Sequence, residues 1–122
     1  MTQLELDAED TKLLTIARAT RGRAYVPHGH GPVEGAAVRD TDGRTYAAAT
    51  VENAAARLTT SALRAAVVAA ASSGVRGLEA AVVVTDAGRL DDDDLAVVRE
   101  LSAAAAVFVA DPEGRVVARV GP

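Results

Sequence analysis

The side chains able to do chemistry lie in four short stretches: the histidines of "PHGHG", the carboxylate of "VEN", the hydroxyls of "TTSALR" and the aspartates of "LDDDD". His28 and His30 offer two imidazoles to a metal, but no third ligand stands at a fixed spacing, so the stretch reads as a mobile polar loop. Asp91 to Asp94 read first as a solvated helix start favoured by the helix dipole. The same oxygens could instead ligate magnesium or calcium. Ser61, with Thr59 and Thr60, reads as an N-capping group. Glu52 reads as a strand-end carboxylate and Asn53 as a cap or turn residue. No nucleophile and base stand at a readable spacing. An enzyme of another kind, built on Asp91, Asp94, His28 or His30, is a minor reading. The chain has no cysteine, so it has neither disulfides nor a thiolate metal site.

These residues need elements to position them. Asp7 precedes the apolar positions Leu13, Leu14, Ile16 and Ala17, which predicts a capped helix from about 8 to 20. Residues 36–52 form two extended runs around Asp42-Gly43, a hairpin signal. Residues 59–74 are apolar nearly all round, as in a helix buried on several sides. "LEAAVVVTD" reads as a central strand. A second acidic helix start at the aspartates carries Leu95, Val98 and Leu101. Two last strands meet at Asp111-Pro112-Glu113-Gly114. The predicted order is α-β-β-α-β-α-β-β, an α/β domain with one five-stranded mixed sheet covered by helices.

The 122 residues suggest a single domain, 1–122. Tyr25, Tyr46 and Phe108 are the only aromatics and read as packing residues, so the core must be Ala, Val and Leu. Net charge is −4 and no basic cluster stands out, which argues against nucleic-acid binding. No apolar run is long enough to span a membrane, and the acidic N-terminus lacks a signal pattern. A cytoplasmic protein is expected. The arginine- and alanine-rich composition, with Lys12 the only lysine, suggests a bacterial source.

Several strings resemble the short, homo-oligomeric cytidine deaminases. The family's Ala-Tyr-x-Pro-Tyr-Ser appears as "AYVPHG". Its Val-Gly-Ala-Ala-x-x-x-x-Asp-Gly hairpin appears as "EGAAVRDTDG", with one residue inserted near Pro32 to Glu34. Its Asn-x-Glu-Asn-Ala, which holds the nucleoside sugar, appears as "TVENA", with Thr50 for Asn and Glu52 retained. The metal helix Cys-Ala-Glu-Arg appears as Ser61, Ala62, Leu63 and Arg64. The second motif, Pro-Cys-x-x-Cys, falls on Leu90 to Asp94, with Asp91 and Asp94 at the cysteine positions. The stacking phenylalanine falls on Gly31.

This resemblance implies a three-layer sandwich with helices on both sheet faces. It also implies that the deaminase chemistry is gone. Zinc brings its bound water to a pKa of about 7, and serine is a poor ligand for zinc. Leu63 cannot move a proton, a role worth roughly 10²–10⁴-fold. The expectation is a catalytically inactive relative with no metal and no cofactor, a cytidine deaminase in ancestry only. It would act by assembly, as a homo-oligomeric dimer or tetramer, or as a hetero-oligomer with a paralogue. The family usually continues past its last strand into a C-terminal segment near the pocket, so with the sequence stopping at Pro122 the family's full tetramer is not the expectation. The alternative is a nucleoside or nucleotide sensor whose residual pocket uses Tyr25, Thr50 and Glu52, with a loop imidazole stacked on the base. Arg64 paired with Asp91 or Asp94 would replace the metal as a clip between two helices.

Overall fold

The computed structural model describes residues 5–121. Its elements run α1 (Ala8–Arg21), β1 (Glu34–Asp40), β2 (Thr45–Ala49), a 3-10 turn (Ala56–Leu58), α2 (Ala62–Ser72), β3 (Leu78–Thr85), α3 (Asp92–Leu101), β4 (Ala106–Ala110) and β5 (Val116–Val120). The strands lie in the order β2-β1-β3-β4-β5. Of the five described strands, β3 and β4 pair in parallel, joined by the α3 crossover, and the other neighbours pair antiparallel. The sequence order of helices and strands is as expected, and the 3-10 turn is an addition. The expectation drawn from Pro122 lies outside the described residues.

Local chemistry sets the element ends. Asp7 caps α1 by accepting the Asp10 amide at 2.7 Å. Its first turn is acidic and its last turn basic, matching the dipole. The turns at Gly43 and Gly114 take positive φ values of 87° and 92°, which glycine adopts without strain.

Alternation along the strands divides the core. Ala37, Val82, Val84 and Phe108 meet Leu13 and Ala17 of α1 on one sheet face. Ala36, Val38, Val83 and Val107 meet α2 and α3 on the other. This is a three-layer sandwich. Gly35 makes the α1 side tight: a Cβ there would lie 2.2 Å from the Ala17 carbonyl oxygen. Arg39 ties the same layers, with Nη2 2.9 Å from Asp10 and Nε 2.9 Å from Glu79.

Two expectations need correction. α2 is buried on one side only, through Ala62, Leu63, Ala66, Val67 and Ala70, while Val68 is 58 % exposed. One sheet face plus α3 cannot cover the whole cylinder of a helix. Tyr25 is not a packing residue but 60 % exposed, although Tyr46 and Phe108 do pack against the two core clusters. Among the described residues no helix is long and apolar enough to cross a membrane.

Candidate functional site

One cleft of about 270 Å³ opens where the N-termini of α2 and α3 meet the start of β1. It gathers most of the stretches singled out above: His30 and Gly31 of the loop, Thr50 and Glu52, Thr59 and Ser61, Arg64, Asp91 and Asp94. Tyr25 is not part of its lining. The Tyr25 backbone pairs with the 50–52 segment, donating its N–H to Thr50 and accepting that of Glu52, which leaves the ring in solvent.

The helix starts build one wall. Ser61 is the N-cap of α2 and accepts the Arg64 amide at 3.3 Å. Its hydroxyl donates to Asp94 Oδ1 at 2.8 Å. Arg64 Nε donates to Ser61 Oγ at 3.1 Å and lies 3.0 Å from Asp94 Oδ1. Ser61, Arg64 and Asp94 therefore form a closed triangle between the two helices. Asp91 stays out of it. Its Oδ1 accepts the amides of Asp93 and Asp94 at 2.8 and 3.3 Å, as the N-cap of α3. Burial raises the Asp94 pKa, and the Asp91 charge adds to this, against the Ser61 and Arg64 bonds that lower it. Leu63 points away from the cleft, fully buried in the core.

The opposite wall is committed to backbone. Glu52, 5 % exposed, accepts the amides of His28 at 2.6 Å, Gly29 at 3.1 Å and His30 at 2.8 Å. Burial works against its charge, but these three amides outweigh it and hold the carboxyl below its ordinary pKa. Thr50 accepts the Glu34 amide at 3.0 Å through its hydroxyl. The two positions expected to meet a sugar thus clamp the loop and the strand. His28 and His30 sit with ring centroids 5.8 Å apart, tilted, and both are exposed. Among the described residues no three His, Asp or Glu side chains are grouped to hold a metal, including the aspartate run, where Asp91 to Asp93 are exposed and only Asp94 turns inward.

The sequence reading missed Glu34. It opens β1 opposite Thr85, is 8 % exposed and lines the cleft. Burial raises its pKa, the Thr85 hydroxyl favours its charge, and Asp94, Asp86 and Asp91 disfavour it. The signal was present: a carboxylate stands directly before Gly-Ala-Ala in a strand whose every other neighbour is apolar or small up to Arg39.

Comparison with known proteins agrees with this architecture. Residues 6–114 match the family model described as cytidine deaminase-like. A cytidine deaminase of Sporosarcina psychrophila is 41 % identical over 75 residues, which are 62 % of this chain and 54 % of that protein. The match therefore spans about half the relative's length. The crystal structure of cytidine deaminase from Burkholderia pseudomallei superposes with a TM-score of 0.82 at 28 % identity, covering 90 % of each chain. The enzyme from Mycobacterium tuberculosis gives 0.73 at 28 %, covering 92 % of this chain and 89 % of that one.

Proposed function

This chain belongs to the cytidine deaminase-like family, and from that premise we propose that it is a catalytically inactive member that works by binding at the cleft. The observation that carries the reading is the Ser61–Arg64–Asp94 triangle. The groups at the family's metal positions bond to one another or to helix amides. A guanidinium beside them repels a dication, and a serine hydroxyl that donates to Asp94 is no ligand. This donor set does not fit zinc. Leu63 supplies no proton at the position of the family's glutamate, and it lies in the core.

The cleft nevertheless stays open, with charged and hydroxyl side chains set in a partly apolar lining, which favours a ligand-binding role such as a nucleoside or nucleotide sensor in the cytoplasm. Its residues would bind differently from the expected pattern. Thr50 and Glu52 shape the wall through the backbone, while His30, Arg64 and Glu34 carry the groups a ligand would meet.

A thermal-shift series with pyrimidine and purine nucleosides and nucleotides, with zinc and with EDTA, tests this. A ligand at 100 times its Kd stabilises the fold by about 2.7 kcal/mol, on the order of 10 °C for a domain this size. The expected result is a ligand shift indifferent to EDTA. A shift that needs zinc would contradict the proposal.

A second reading, assembly as a dimer or tetramer or with a paralogue, rests on exposed apolar side chains. Tyr25 and Val51 pair in one bridge, Val51 pairs with Thr60, and Leu58 lies just before it. Tyr25, Val51, Leu58 and Val68 are each more than half exposed. Patches of this kind mark interaction surfaces.

A further inference from the structure

Residues 27–32 run along the lip of the cleft, and every one of them is exposed. Proline stands at each end, Pro27 and Pro32, and His30, Gly31 and Pro32 line the cleft itself. With no side chain in the core, packing does not hold this run in place. Its hydrogen bonds do. The amides of His28, Gly29 and His30 donate to the Glu52 carboxylate at 2.6, 3.1 and 2.8 Å. Among the described residues these are the bonds that tie the run to a distant part of the chain; Gly29 also donates, at 3.3 Å, to the Val26 carbonyl just before it.

Three successive amides converge on one anion where a left-handed residue turns neighbouring N–H groups to the same side, the geometry of an anion-binding nest. Gly29 is that residue, with a φ of 67°. No atom lies within 4 Å of where its Cβ would stand, so the backbone conformation, and not crowding, calls for glycine there. The carboxylate that fills the nest is firmly placed. Glu52 is 5 % exposed, its own N–H donates to the Tyr25 carbonyl at 2.7 Å, and the Tyr25 N–H donates to the Thr50 carbonyl at 2.9 Å. A fixed carboxylate thus meets a run of chain that nothing else anchors between its two prolines.

We propose that residues 27–32 are a strap with a single latch: the Glu52 carboxylate holds the run closed along the cleft, and when it lets go the run opens as one body and takes His30 and Gly31 off the cleft wall. Glu52 is then a positioning residue, acting on the cleft through the strap. Bonds to an ionised acceptor are stronger than neutral ones, and because the three share one carboxylate they are made and lost together. The binding role proposed above gives the strap its use as a gate. The test reads the strap alone, so either reading can fail without the other.

Amide hydrogen exchange of the full chain, followed by NMR, reads the latch. In the wild type the expected result is one opening equilibrium shared by the His28, Gly29 and His30 amides. In Glu52→Ala their exchange is expected to rise about tenfold or more, the effect of losing even one bond to a charged group. The Val82 and Val83 amides of β3, still exchanging far more slowly, show that the fold is kept. Formate added to this variant puts a free carboxylate into the emptied nest and is expected to slow the three amides again, which chloride at equal ionic strength does not do. Gly29→Ala, with Glu52 intact, is expected to speed the same three amides. Unequal opening of the three in the wild type, unchanged exchange in either variant, or equal effects of formate and chloride overturns the latch. Should Glu52→Ala fail to fold, the wild-type and Gly29→Ala measurements still decide.

Discussion

At Glu52 the chain keeps a carboxylate that the family resemblance assigns to a sugar, and the fold commits it to three amides of the 28–30 loop. Those amides lower its pKa in the folded state against the opposing effect of burial. The stabilisation is therefore complete above the ordinary glutamate range and is lost as pH falls through the lowered value. Glu52→Gln is expected to lower Tm most at neutral pH, with the difference from wild type shrinking under acid. Circular dichroism melts between pH 3 and pH 8 would show it. Glu34 has the opposite sign. Burial raises its pKa, so its charge weighs against the folded state above the raised value, and the penalty is relieved as pH falls through it. Glu34→Gln is expected to raise Tm at pH 7.5 and to lose that advantage in acid. A lowered Tm at pH 7.5 would mean that the carboxylate stabilises the fold. A residue that costs stability at the wall of a cleft has the signature of a binding group.

At the scale of elements, the packing of α1 on β1 is the most sensitive contact. A methyl group on Gly35 would meet the Ala17 carbonyl at 2.2 Å and the Arg21 amide nitrogen at 2.5 Å. Both are backbone atoms with no rotamer to escape into. Overpacking a core costs about 1–3 kcal/mol, and Gly35→Ala is expected at or above the top of that range in urea denaturation. A cost under about 0.5 kcal/mol would mean that α1 moves aside freely. The elements themselves were legible in the sequence where their signals are local. Asp7 capping α1, Asp42-Gly43 turning a hairpin and the Val-rich β3 all depend on neighbours in the chain. The site was less legible because its partners are distant. The amides that occupy Glu52 lie 22 to 24 residues away, and the direction of Glu34 follows from a helix that precedes it. Ser61 read correctly as a cap, but its second bond, to Asp94 across 33 residues, depends on how the helices dock.

For the whole molecule, the outward face of α2 decides between a solitary binding protein and an assembly. Val68 is 58 % exposed, so Val68→Glu should change the stability of a single chain by no more than about 0.5 kcal/mol. If this face joins copies, the same change is expected to reduce the mass seen by light scattering at micromolar concentration. An unchanged mass would remove α2 from any interface. The inactivity proposed for this chain follows from the resemblance, which puts Ser61, Asp91 and Asp94 at the family's metal positions and Leu63 at its proton-transfer position. The most direct measurement is conversion of cytidine to uridine and ammonia by the purified protein at high concentration, with zinc added and with a chelator. The expected result is no conversion above the protein-free blank in either condition. Zinc-dependent formation of uridine, abolished by the chelator, would contradict it.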